Sequence, residues 1–289
     1  MSNIKEYCER MGNSIPVTTK NKIPELIKAH NVKTLLDVGC ADGRFTEFLA
    51  AELPKNVKID AIDMSPYVDY SPIKRTGKVT YAVSPFDESL LKWGKKYDCI
   101  VFSSVMHEIS SYCDDENKRY SQKPIFDAIQ LANKLLNPGG IAIVRDMLNP
   151  NWKTKSIPVE MNIYCASKFL DFIINCPYLK TKYDKHAESK FMAYDTHDKI
   201  LFNIRNDVLM EFLMMATWGA ESEEREIKER KFILKKADWK RAFKNAGLDI
   251  EHYEDTNEEY PKYFDRLVKI WEPKWKYPMT TCLMVAKKK

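Results

Sequence analysis

"LLDVGCADGRFTEFLA", residues 35 to 50, is the stretch on which the fold turns. An apolar run enters a turn holding Gly39 and Gly43 together with Asp37 and Asp42, and the turn passes straight into an amphipathic helix. A glycine turn between strand and helix is the usual ligand cradle of doubly wound α/β folds, because glycines let backbone groups approach a ligand at the helix N-terminus. Outward from this turn the order of elements repeats. A short helix over 22–30, with Pro24 in its first turn, precedes the strand "VKTLLDV". Helix 43–53 stops at Pro54, and strands follow at "VKIDAID", which ends on Asp63, at 78–84 and at 97–104. Helix 123–136 stops at "NPGG" and "GIAIVRDM" follows at once. Apolar strands alternating with amphipathic helices predict a doubly wound, mostly parallel sheet with helices on both faces. It has seven strands once the closing "DIEHYED" and "TTCLMVAKK" are included.

The rhythm breaks for 88 residues, from Leu148 to Lys235. "SKFLDFII" and "VLMEFLMMATWG" inside this break look helical, so it is expected to be a helical cap insertion on the substrate side. Its Phe, Met and Trp residues are mostly core, with a minority free to line a pocket, where soft methionines adapt to an apolar ligand. The expected organisation is an N-terminal helical segment over 1–30, a ligand-binding core over 31–147, the cap over 148–235 and completion of the sheet over 236–289. A second insertion, "NEEYPKYFDRLVKIWEPKWKYP", lengthens the link between the last two strands.

Composition narrows the class. Of the 289 residues, 44% are hydrophobic and 30% charged, the balance of a globular chain. The formal charge of +5 sits partly in Lys287, Lys288 and Lys289; it allows a nucleic-acid partner without pointing to one. The opening "MSNIKEYCERMGNS" lacks an apolar core of signal-peptide length, and no apolar run reaches the ~20 residues of a membrane span. A cytoplasmic protein without membrane association is expected. Seven cysteines and five histidines are scattered, with no C-x-x-C pair and no zinc spacing, so reduced thiols and no metal site are expected.

Two ligand classes compete for the turn. A dinucleotide needs G-x-G-x-x-G, but counting from Gly39 those positions hold Ala41 and Arg44. What remains, Asp37-Val-Gly39-Cys40-Ala41-Asp42-Gly43, resembles the first motif of the class I S-adenosylmethionine-dependent methyltransferases, acid-x-G-x-G-x-G, with Ala41 departing at the middle glycine. The resemblance implies that Asp37, Gly39, Cys40, Ala41 and Gly43 surround the methionine half of S-adenosyl-L-methionine, Asp37 meeting its ammonium group. It further implies that Asp63, 20 residues beyond Gly43, accepts both ribose hydroxyls, with Met64 beside it. Asp63 alone could equally hold the ribose of NAD. In "VSPFDES", Asp87 resembles the group that meets the adenine amine, although it could also cap the helix near "ESLLKW". "FSSVMHEI", with Ser103 on the cofactor side, resembles the family's fourth-strand segment.

His107 and Glu108 follow the fourth strand at the carboxyl edge of the sheet, where such folds bind substrate. A histidine there can serve as general base, since its pKa lies near neutrality; the plainer reading is a buried histidine bonded to backbone, with Glu108 as a first-turn acid. Asp146 ends the fifth strand at the same edge and can touch donor or substrate, or pair with Arg145. In "TWGAESEEREIKERK", Glu221, Glu224 and Lys228 read as a solvated face, with Trp218-Gly219 a possible structured corner. The resemblance therefore implies transfer of a methyl group to an O or N atom of a small-molecule acceptor by in-line displacement. Two alternatives stand beside it: an RNA (for example tRNA) methyltransferase using "KTKYDKHAESK", and an inactive donor-binding module.

Overall fold

Strand β1 (Thr34–Val38) is apolar on both faces apart from Asp37, and it is buried from Leu35 onward. It lies between β2 (Lys58–Asp63) and β4 (Tyr97–Ser103), parallel to both. The computed structural model describes residues 17–66, 76–150, 155–179, 195–196, 198–218, 220–256 and 260–289. With β3 (Val79–Val83), β5 (Leu136–Met147), β9 (Leu248–Thr256) and β11 (Thr281–Lys288), the main sheet runs β3-β2-β1-β4-β5-β11-β9. Only β11 runs against the other six strands, pairing antiparallel with β5 on one side and β9 on the other. Strand order reverses between β1 and β4, so a crevice opens at their carboxyl ends, where α/β sheets take ligands.

Each face of the sheet is covered because successive strand residues point to opposite sides. On one face α1 (Val17–Lys28) and α2 (Arg44–Glu52) bring Ile23, Ile27 and Leu49 against Leu35, Cys99 and Ile141. On the other, α4 (Lys123–Leu135) and α8 (Lys236–Asn245) bring Ile129, Trp239 and Phe243 against Phe102 and Val144. Between β4 and α4 lies the short α3 (Met106–Ser111), entered through Val105. Among the described residues, no helix is long and apolar enough to cross a membrane.

The insertion carries helices where the sequence predicts them, α5 (Ile163–Asn175) and α6 (Asn206–Ala216), but it also holds a sheet. Strands β6 (Ser156–Asn162), β7 (Asp195–Thr196), β8 (Lys199–Arg205) and β10 (Val268–Ile270) form an antiparallel sheet in the order β10-β6-β8-β7. The helical cap is thus a mixed α/β layer. Its β6 buries every second residue, Ile157, Val159 and Met161, the mark of a strand with one covered face. Because β10 comes from the second insertion, both insertions build one unit, and Phe169, Phe172 and Phe212 pack at its centre with ring centroids 5.1 and 5.8 Å from Phe212. Two further helices belong to these insertions, α7 (Ala220–Glu226) and α9 (Tyr260–Leu267). The stretch "KTKYDKHAESK" lies outside the described residues.

Candidate active site

The turn after β1 demands its glycine. At Gly39, φ is +73°, and a Cβ there would lie 2.5 Å from Cγ2 of Val105, where β4 enters α3. Ala41 also adopts a left-handed φ, 50°, at the position where the motif carries glycine. For a residue with a Cβ that conformation costs about 1 kcal/mol, a tolerable departure.

The turn spends its N–H groups inward. Gly39 and Cys40 donate to the carbonyl of Ile62 at 2.9 and 3.1 Å, and Gly43 to that of Cys40 at 2.8 Å. Ala41 donates to Asp63 Oδ2 at 2.8 Å, and Arg44 to Asp42 Oδ1 at 3.0 Å. Three carboxylates cluster here. Arg44 pairs with Asp42 through its side chain, whereas Asp37, 1% exposed, lies beneath the turn and accepts the Thr46 hydroxyl at 2.6 Å. Burial pushes the Asp37 carboxyl up to about 7; the Thr46 hydrogen bond works against this, and the charge of Asp63 adds to it. A pyrophosphate would find these donors spent and carboxylates facing it. A cation finds compensating charge. The cradle therefore fits a sulfonium and an ammonium group, as S-adenosyl-L-methionine carries, and does not fit a dinucleotide.

At the end of β2, Asp63 also accepts the Ser65 N–H at 2.7 Å, and each of its oxygens keeps a further lone pair for a hydroxyl. Beside it Met64 is 67% exposed, and Val83, paired with Asp63 in the sheet register, is 44% exposed. Exposed apolar groups at the crevice make a platform for a planar base. Asp87 spends one oxygen on the Ser89 N–H at 2.8 Å, capping the 3₁₀ turn over 88–93. Ser103 ends β4 opposite Arg145 of β5, and the Arg145 guanidinium donates to Ser104 Oγ.

The second constellation lies at the carboxyl ends of β4 and β5. His107 Nδ1 meets Asp146 Oδ1 at 2.8 Å, both residues buried, while the other Asp146 oxygen accepts the Met106 N–H at 2.7 Å. Asp146 pairs with His107 and projects away from Arg145, since neighbours on a strand point to opposite faces. The far side of the ring faces Glu229, with Nε2 3.7 Å from Oε2. Burial alone would lower the His107 pKa, but the charge and hydrogen bond of Asp146, helped by Glu229, raise it to about 10. The ring lies between two carboxylates, which favour its charged form. A general base needs an unprotonated lone pair aimed at the substrate, and a buried ring whose two nitrogens face Asp146 and Glu229 fits positioning rather than proton abstraction.

The charges continue into the insertion. Lys231, 3% exposed, pairs with Glu229 at 2.5 Å and Glu226 at 2.6 Å. Arg225 bridges Glu108 at 2.7 Å and Glu229 at 3.1 Å, and the Tyr112 hydroxyl donates to Glu229 at 2.9 Å. His107, Glu108 and Glu229 offer ligand atoms within 4.8 Å of one another, the makings of a metal site by atom type. Arg225 and Lys231 already supply the cations that balance those carboxylates. The sequence reading missed Arg225, Glu226, Glu229 and Lys231. It singled out their neighbours Glu224 and Lys228, which form an i,i+4 pair with side chains 84% and 51% exposed. The overlooked signal was the apolar "FIL" following "KERK", which draws the end of the charge run into the core.

A family model described as a methyltransferase domain matches residues 18–253. An uncharacterized protein of Rickettsia prowazekii is 25% identical over 174 residues, covering 57% of this chain and 59% of that relative, so the match spans little more than half of the relative's length. Among solved structures, a candidate O-methyltransferase of Nostoc punctiforme superposes with a TM-score of 0.52 at 13% identity, over 99% of this chain and 60% of its own. The N-methyltransferase NodS of Bradyrhizobium japonicum, solved with S-adenosyl-L-homocysteine, reaches 0.45 at 13% identity over 99% and 98%.

Proposed function

The chain belongs to the methyltransferase-domain family, and from that premise we propose that it is an S-adenosyl-L-methionine-dependent methyltransferase acting in the cytoplasm on an O or N atom of a small-molecule acceptor. The observation that carries this reading is the acidic turn, whose N–H groups are bonded within the fold and whose buried Asp37 lies close enough to Asp63 to feel its charge. When bound, the donor supplies a methyl group on a positively charged sulfur, already activated for displacement. The protein's own residues then have three tasks. The turn from Gly39 to Gly43 receives the methionine end, with Asp37 as a negative charge beneath it. Asp63 takes the ribose hydroxyls, while Met64 and Val83 flank the base and Asp87 stands near its amine. The network Asp146–His107–Glu229–Lys231 holds the insertion over the crevice, which keeps water out and the acceptor aligned. Glu108, tied to Arg225, belongs to the same closure.

Replacing Asp63 with Ala should weaken donor binding at least tenfold by calorimetry, through loss of charge-assisted hydrogen bonds. Unchanged affinity would sink the cofactor assignment. Incubation of the protein with methyl-labelled donor and fractionated metabolite and RNA pools tests the acceptor class. Label appearing in RNA alone would overturn the small-molecule reading, and donor binding without transfer to any pool would leave a donor-binding module.

A further inference from the structure

An open cavity of about 230 Å³ is lined by residues of the insertion. Its walls come from Asn149 just past β5, Arg205 at the end of β8, Asp207 and Glu211 of α6, and Arg230 and Lys235 from the segment that leads into α8. The volume is below the roughly 300–1,000 Å³ of sites that take a whole small molecule, so it suits one end of a ligand.

The charges in this cavity do not cancel. Asp207 is engaged by Arg205 through two parallel hydrogen bonds of 3.0 and 2.6 Å. Glu211 is buried, and its two oxygens accept the N–H groups of Phe232 at 3.0 Å and Lys231 at 2.9 Å, with the Tyr178 hydroxyl at 3.4 Å. Both acids are thus committed to partners in the wall. Arg230 is anchored by its backbone N–H to Ser111 Oγ at 3.0 Å, and by one guanidinium nitrogen to the Tyr120 carbonyl at 2.8 Å. Neither bond neutralises its charge, which is felt by the buried Glu211 across the cavity wall without forming an ion pair. Among the described residues, Arg230 and Lys235 form no ion pair, and three cations line the cavity against two acids. A planar guanidinium with donors to spare and a lysine on the walls of one cavity are the groups that recognise oxyanions.

The geometry points to this cavity as the subsite for a phosphate or carboxylate group of the acceptor molecule, held by Arg230 and Lys235. Its place fits that role. Ser111, which anchors Arg230, is on α3 with His107, and Glu229, which faces His107, adjoins Arg230 in the chain. The closure network and the anion subsite are therefore two sides of one segment, 225–235. Only the word acceptor rests on the methyl-transfer reading; anion binding does not.

The test uses the full chain without donor. Titration with inorganic phosphate, and separately with malonate, is followed by ¹⁵N–¹H correlation spectra of the arginine Nε–Hε groups, at ionic strength held constant with sodium chloride. A saturable shift of the Arg230 and Arg205 signals is expected with at least one of the two anions, the Arg205 signal serving as the readout in the Arg230 variant, and which anion binds tighter distinguishes a phosphate from a carboxylate ligand. Arg230→Gln should weaken that binding at least tenfold and Lys235→Gln severalfold. Asp207→Asn, which releases Arg205 from its acid, should tighten it. Lys235 and Asp207 guard against misfolding of the Arg230 variant, since neither change empties the core. Absence of a saturable shift with both anions at 50 mM, or wild-type affinity in both the Arg230 and Lys235 variants, overturns the subsite. Donor affinity measured on the same samples separates the two ideas: intact donor binding without anion binding removes this inference alone, and anion binding without donor binding removes the methyl-transfer reading alone.

Discussion

Asp37 is the residue at which folding and binding pull in opposite directions. Its carboxyl titrates near 7 because burial and the neighbouring Asp63 disfavour the charge. The unfolded value is near 3.8, so the folded state loses stability as pH rises from about 4 through 7. Asp37→Asn should therefore raise the thermal midpoint above pH 7 while leaving it little changed below pH 4. A cationic donor prefers the ionised form, so donor affinity of the native protein should climb between pH 6 and 8 and flatten in Asp37→Asn. A pH-independent calorimetric affinity in the native protein would remove Asp37 from the site. His107 carries the opposite sign. Its pKa is raised from 6.5 to about 10, so its stabilising contribution is complete below pH 6.5 and lost as pH rises through 10. His107→Gln should cost a few kcal/mol in urea unfolding at pH 7, with the gap to the native protein closing above pH 10. A constant gap across that range would show that the ring packs rather than pairs. Both residues were legible as site candidates in the sequence. Their protonation states were not, because each is set by groups distant along the chain, such as Asp146, 39 residues from His107.

At the scale of elements, the insertion behaves as a layer with its own core. Phe212 lies on α6 between Phe169 and Phe172 of α5 and is fully buried. Phe212→Ala should lower stability by about 3–5 kcal/mol, the cost of removing a buried ring together with the cavity left behind. Because the donor turn belongs to the other sheet, donor affinity in that variant should stay within twofold of native while turnover falls; equal losses in both would mean that the two layers are not separable. The helices of this layer show in the sequence as runs such as "VLMEFLMMA", where long apolar stretches favour helix. Strand β6 was missed because "SIPVEMN" is short, holds a proline and alternates over only three buried positions. Its partner β10 is another step removed, since Val268 pairs with Met161 across more than a hundred residues.

For the whole molecule, the net charge of +5 is a small excess over two nearly balanced signs, and among the described residues buried charges such as Lys231 with Glu226 pair internally. Turnover on a small acceptor should change less than about threefold between roughly 50 and 200 mM salt, whereas an RNA substrate making several phosphate contacts would lose orders of magnitude over that range. What the sequence determined by itself was the mostly parallel sheet and the glycine turn after its first strand. Both are local, for strand, glycine turn and helix are contiguous, and their periodicity and the demand for a left-handed backbone at Gly39 are written in neighbouring residues. Only the tertiary structure decided that His107 faces Asp146 and Glu229, that Lys231 is a buried partner of Glu229, and that Arg230 and Lys235 line one cavity. Those properties come from charges brought together out of water by the fold, and no spacing along the chain encodes the desolvation that gives them their strength.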